Sequence, residues 1–157
     1  MSTKSITQIS AIAALLTVFA LFKLPAILPG LEFQLSAPVS LLILAFFGIK
    51  RYFIGGLISS AILFIIGAFN PLHLCISLIF RILSISVVYC LGVSLRTLCI
   101  AGCVGTLVSR IVLAEFLHLP PIVLVAHALP GICFTLIVVS LLYPTLSRRP
   151  VIQALCK

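Results

Sequence analysis

Acidic residues are nearly missing from this chain. Of 157 residues only two carry a carboxylate side chain, Glu32 and Glu115, against ten Lys or Arg, so the formal net charge is +8. Charge of either sign is scarce, at 8% of residues, while 63% are hydrophobic. A soluble domain carries about 25% charged and about 45–50% apolar residues. A chain so poor in charge cannot cover itself with a water-facing surface, which excludes a soluble globular protein. Its apolar richness excludes a disordered chain, which needs low hydrophobicity. The basic excess does not point to nucleic acid, because the basic residues are strung singly between apolar stretches. Catalytic signatures are missing too: there is no H-E-x-x-H, P-loop, G-x-S-x-G or paired intramembrane Asp. What remains is an all-α integral membrane protein, one transmembrane domain over residues 1–157, lying in the cell (plasma or inner) membrane and crossing it several times.

Lys4 precedes an apolar run, but no small-residue cleavage site followed by a soluble chain succeeds it. That first run is therefore expected to be a helix rather than a removed leader. At about 20 residues per span, the chain has room for five or six helices and no soluble domain. The six cysteines, Cys75, Cys90, Cys99, Cys103, Cys133 and Cys156, fall mostly in apolar stretches rather than polar loops. They read as small packing residues, not as a disulfide framework. Cys99 and Cys103 share a helix face, but no His lies near them in sequence to complete a metal site.

Six spans are expected, over 6–22, 36–49, 52–69, 72–93, 96–117 and 122–143. Pro25, Pro29 and Gly30 break the stretch after the first span. That stretch is too apolar for a solvated loop, so an ordered outer lid or re-entrant segment is expected there. Lys50 and Arg51 close the second span, Asn70-Pro71 the third, and Pro144 with Arg148 and Arg149 the sixth. With the N-terminus inside, Lys4, Lys50, Arg51, Arg96, Arg148, Arg149 and Lys157 all fall on the cytoplasmic side, and only Lys23 falls outside. This bias predicts six helices with both termini inside.

Two basic residues remain, Arg81 and Arg110, inside the fourth and fifth spans. A charge at bilayer depth is costly and marks a functional site by default. Each lies some eight or nine residues from the outer end of its span, roughly 12 Å deep at 1.5 Å per residue. Two guanidiniums at one depth need an anion, and only Glu32 and Glu115 are available in the chain. One reading is a structural Arg81–Glu115 pair, with Arg110 snorkelling or held by backbone carbonyls. The other is an outward-open cavity in which Arg81, Arg110 or both grip a carboxylate or phosphate of a small ligand, as the planar guanidinium fork favours. His127, near the outer third of the sixth span, is the best placed of three histidines to touch such a ligand. Glu115, Glu32, Gln34 and Asn70 complete the candidate binding set. No metal site is expected. Small residues at helical spacing, Ser10-x-x-x-Ala14 and Gly55-x-x-x-Ser59, allow close helix contact, either within the protein or with a membrane partner.

The size, the six helices with termini inside, the small-residue first helix Ser10-Ala-Ile-Ala-Ala-Leu-Leu16 and the broken outer loop Leu28-Pro-Gly-Leu-Glu-Phe33 together form a pattern. It resembles the substrate-binding S component of energy-coupling factor (ECF) vitamin transporters. The resemblance spans nearly the whole chain. It implies a subunit of an ECF-type ABC importer that captures a vitamin from outside with helices four to six, beneath the first outer loop. It implies partners: a transmembrane coupling subunit, docked through helices one to three, and two cytosolic ATPases that use the ATP, with no cofactor in this chain and no enzymatic activity of its own. The two arginines then favour a small anionic, pantothenate-like vitamin over a cationic one. Two other readings stay open: a structural membrane subunit of a cell-envelope or shape-determining complex, and a small membrane enzyme acting on lipids.

Overall fold

The computed structural model describes residues 3–25, 32–34, 36–118 and 120–148, with side chains for all of these except 23–25, 32–34 and 117. Six helices account for most of them: α1 (Thr3–Leu21), α2 (Ser36–Phe47), α3 (Ile49–Ile65), α4 (Pro71–Leu91), α5 (Leu95–Leu117) and α6 (Pro121–Ser147). Between α1 and α2 two short antiparallel strands, β1 (Lys23–Pro25) and β2 (Glu32–Gln34), pair with Lys23 opposite Gln34 and Pro25 opposite Glu32. The lid expected from sequence thus begins and ends as a small ladder, and its middle lies outside the described residues.

Local chemistry sets most of the boundaries. Pro71 and Pro121 stand at the first helical position of α4 and α6, where a missing N–H costs nothing. Ser94 caps α5 by accepting the Thr97 N–H at 3.2 Å. The α5 end is closed by His118 in the left-handed region, whose N–H reaches the Glu115 carbonyl at 3.3 Å.

Two sequence expectations are corrected. Lys50 and Arg51 do not close α2; they lie in the first turn of α3, because Gly48, at φ 80°, makes the break before them. Pro144 does not end α6, which continues to Ser147 with both Pro130 and Pro144 inside it.

Four helices, α1, α4, α5 and α6, are long and apolar enough to cross a membrane. α2 has 12 residues and α3 has 17, or about 18 and 25 Å at 1.5 Å per residue, short of a hydrocarbon core of about 30 Å. α1 packs along α3, α5 lies between α4 and α6, and α2 touches α1, α3, α5 and α6. The main core joins these groups through Ile12, Leu16, Leu41, Leu44, Tyr52, Leu98 and Val139. Phe46 stacks on Tyr143 with ring centroids 5.8 Å apart, fastening α2 to α6.

Close contact of α1 with α3 depends on Gly55. A Cβ there would sit 2.7 Å from Cγ2 of Ile12 and 3.3 Å from the Ile9 carbonyl oxygen. One turn on, Ser59 is buried and accepts the Thr17 hydroxyl at 3.0 Å. Gly55 and Ser59, expected as possible docking positions for a partner, are therefore spent on an internal contact. Ser10 and Ala14 are exposed on α1.

Candidate functional site

A cavity opens in the middle of the bundle, and every helix contributes to its wall. It encloses about 970 Å³, counting the space at its mouth. Each helix presents one face at helical spacing. α1 gives Leu16 and Ala20; α2 gives Ser36, Ala37 and Ser40; α3 gives Ser59 and Leu63. α4 gives Ile76, Ser77, Phe80 and Arg81; α5 gives Thr106, Ser109 and Arg110; α6 gives His127, Ala128, Gly131 and Thr135. Phe69, before α4, joins them. These positions run from the middles of the helices into the C-terminal halves of α1, α3 and α5 and the N-terminal halves of α2, α4 and α6, Thr135 lying just past the middle of α6. They therefore gather toward the α1–α2, α3–α4 and α5–α6 connections, away from Lys50, Arg51 and Arg96.

The wall combines apolar surface with a row of hydroxyls and two guanidiniums. Arg81 is only 6% exposed. Its Nη1 donates to the Gly56 carbonyl and, at 2.8 Å, to Ser60 Oγ. Ser60 and Ser77 share a further hydrogen bond of 3.3 Å between α3 and α4. Tyr52 is fully buried beside this cluster, its hydroxyl near Arg81 and Ser40 but in full hydrogen-bonding geometry with neither. Arg110 is half-buried on the adjacent helix, α5. His127 bonds through Nδ1 to the Val123 carbonyl at 2.7 Å. A carbonyl only accepts, so Nδ1 carries the proton and Nε2 of the neutral ring is left as an acceptor.

The cavity thus brings together Arg81, Arg110 and His127 from the sequence-predicted set. Glu115 and Asn70 are exposed, at the end of α5 and just before α4, and neither lines it. The structural Arg81–Glu115 pair is corrected: the Arg81 partners are Gly56 and Ser60, and no ion pair joins it to Glu115. Glu32 and Gln34 stand on β2, and their side chains lie outside the described residues.

Sequence reasoning missed the hydroxyl lining and the seat at Gly56. The signal was present: Ser77 and Arg81 are four residues apart, as are Thr106 and Arg110, so each pair shares a helix face. Among the described residues no group of three or more His, Cys, Asp or Glu comes together to hold a metal. Cys99 and Cys103 are half-buried, whereas Cys75, Cys90 and Cys133 are exposed. Exposure of those three corrects the reading of most cysteines as packing residues.

The chain is 45% identical over 134 residues to Protein BioX of Lysinibacillus sphaericus, a match covering 85% of this chain and 81% of that protein. No family model matches the chain, and no solved structure matches it.

Proposed function

The chain belongs to the family of Protein BioX, and we propose that it is the substrate-binding membrane subunit of an ECF-type vitamin importer. The observation that carries this reading is the central cavity, with apolar walls, a row of hydroxyls, and Arg81 and Arg110 on neighbouring helices. Such a mixture suits a small molecule with an apolar body, polar groups along it and an anionic head. A guanidinium in a low-dielectric wall binds a carboxylate by two parallel charge-assisted hydrogen bonds. A cation would meet two like charges there.

The name of the relative, BioX, makes biotin the first carboxylate to test. Pantothenate, the anion favoured from the two arginines and the scarcity of acids, is the second. In this reading the protein spans the membrane six times with both termini inside, and the cavity faces outward. The ligand enters beneath the β1–β2 segment. A transmembrane coupling subunit and two cytosolic ATPases then drive its release inside, the protein itself having no catalytic role and no cofactor. Ser10 and Ala14, exposed on α1, are the positions left to meet the coupling subunit.

The test is equilibrium binding of radiolabelled biotin and pantothenate to the purified protein in detergent, without ATP. One of the two is expected to bind at one per chain. Native mass spectrometry of gently extracted protein is expected to show that ligand and copurifying ATPases. Binding of neither compound, with no ATPase recovered, would sink the proposal.

A further inference from the structure

Arg81 does not reach its place in the cavity unaided; α3 carries a seat for it. Tyr52, Gly56 and Ser60 recur every four residues and so form one stripe on that helix. Gly56 is buried, and a Cβ built on it would lie 2.8 Å from Cζ and Nε of Arg81 and 2.9 Å from Nη1. Real Cβ atoms do not approach that closely, so the guanidinium rests on the bare Cα of Gly56. The same residue accepts from Nη1 through its carbonyl, and Ser60 accepts from Nη1 at 2.8 Å.

A guanidinium has five N–H groups, two of them on Nη1. α3 takes both. In strict geometry no described residue takes a hydrogen bond from the Nε–H or the two N–H of Nη2, although the buried Tyr52 hydroxyl stands close to the guanidinium. Arg81 lines the cavity, so the Nε–Nη2 edge is what it can offer there. That edge holds two parallel donors, the geometry a carboxylate accepts bidentately.

We propose that Gly56, with Ser60, is the positioning residue for the anion site: by occupying Nη1 it turns the Nε–Nη2 edge of Arg81 toward the ligand and sets the preference for a charged carboxylate. This rests on the carboxylate-vitamin reading above. Gly56 never touches the ligand. Its substitution therefore acts through the guanidinium, and its signature is charge preference rather than overall affinity.

The experiment compares the dissociation constants of each acid and its uncharged amide, biotin with biotinamide and pantothenate with pantothenamide, for the wild type, Gly56→Ala and Ser60→Ala. For the pair that binds, the wild type is expected to favour the acid at least tenfold. Gly56→Ala is expected to bring that ratio within threefold of one while amide binding changes little. Ser60→Ala, which removes one acceptor and adds no bulk, is expected to lower the ratio a few-fold. It decides the matter if Gly56→Ala does not fold. A wild-type acid preference kept intact in Gly56→Ala, or in Ser60→Ala where that is the variant available, overturns the positioning role and leaves the carboxylate reading standing. A wild type that binds neither acid, or binds acid and amide alike, overturns both.

Discussion

At the residue scale the molecule turns on one buried cation. Burying a guanidinium without an ionic partner costs several kcal/mol unless hydrogen bonds replace its water. Gly56 and Ser60 supply part of that replacement for Arg81. The depth of Arg81 was legible in the sequence, because it stands alone in an apolar span. Its partner was not: the two acids invited an ion pair, yet the acceptors come from α3, 25 and 21 residues away in the chain, and a glycine carbonyl leaves no trace in composition. Arg81→Ala is therefore expected to remove one hydrogen bond each from the Gly56 carbonyl and from Ser60, which keeps its bond to Ser77, with a loss of about 1–3 kcal/mol of stability, and to weaken carboxylate binding well beyond tenfold. Arg81→Lys, a compact point charge without the fork, is expected to restore part of the stability and little of the affinity. Parallel thermal melts and binding isotherms separate the two effects. His127→Ala is expected to cost affinity only a few-fold and no stability, since the ring is exposed and its bond to Val123 stays within its own helix.

At the element scale, the positions of helices followed from proline, basic residues and apolar runs, and the expected spans fall close to the six helices observed among the described residues. The failures have physical causes. Lys50 and Arg51 resembled a loop because charge usually marks one, but a helix tolerates them in its first turn, where Lys50 is exposed and Arg51 half-buried, while Gly48 bends the chain ahead of them. Pro144 was read as a stop, yet its cost is one lost hydrogen bond and a local kink, which a long, well-packed helix absorbs. Two kinds of glycine can be told apart by experiment. At Gly48 a Cβ would meet nothing within 4 Å, but φ is 80°, so Gly48→Ala is expected to lose about 1–2 kcal/mol through backbone strain alone. At Gly105 a Cβ would lie 2.9 Å from Cδ2 of Phe80 and 3.2 Å from Ser84 Oγ. Gly105→Leu is expected to cost about 1–3 kcal/mol by overpacking α4 against α5. Shortening Phe80 should relieve the second variant and not the first, as read from melting temperatures of the single and double substitutions.

At the scale of the whole molecule, two independent patterns bear on one axis. Outside the cavity, all basic residues of the described helices and their flanks but Lys23, which stands on β1, mark one end: Lys4 opens α1, Lys50 and Arg51 open α3, Arg96 opens α5 and Arg148 follows α6. The cavity-lining residues lie toward the opposite ends of those helices, beside the β1–β2 ladder. Charge set the first pattern under the constraint of insertion, and burial set the second, so their opposition is not built into either. If the basic end is cytoplasmic, the cavity opens outward, as capture of a solute from outside requires. Paired reporters test this, one active only outside (alkaline phosphatase) and one fluorescent only inside (green fluorescent protein). Each would be fused after residues 48, 70, 93 and 119 and at the C-terminus. Fluorescence is expected after 48, 93 and the C-terminus, and phosphatase activity after 70 and 119. The short helices make residue 48 the decisive point. If α2, at about 18 Å, entered and returned without crossing, the fusion after 48 would be phosphatase-active and the fusions beyond it would reverse. A fluorescent fusion at 48 with an active phosphatase at 70 would instead require both short helices to cross. The bilayer would then have to thin or its headgroups dip around α2 and α3, on the same side of the bundle as the seat of Arg81.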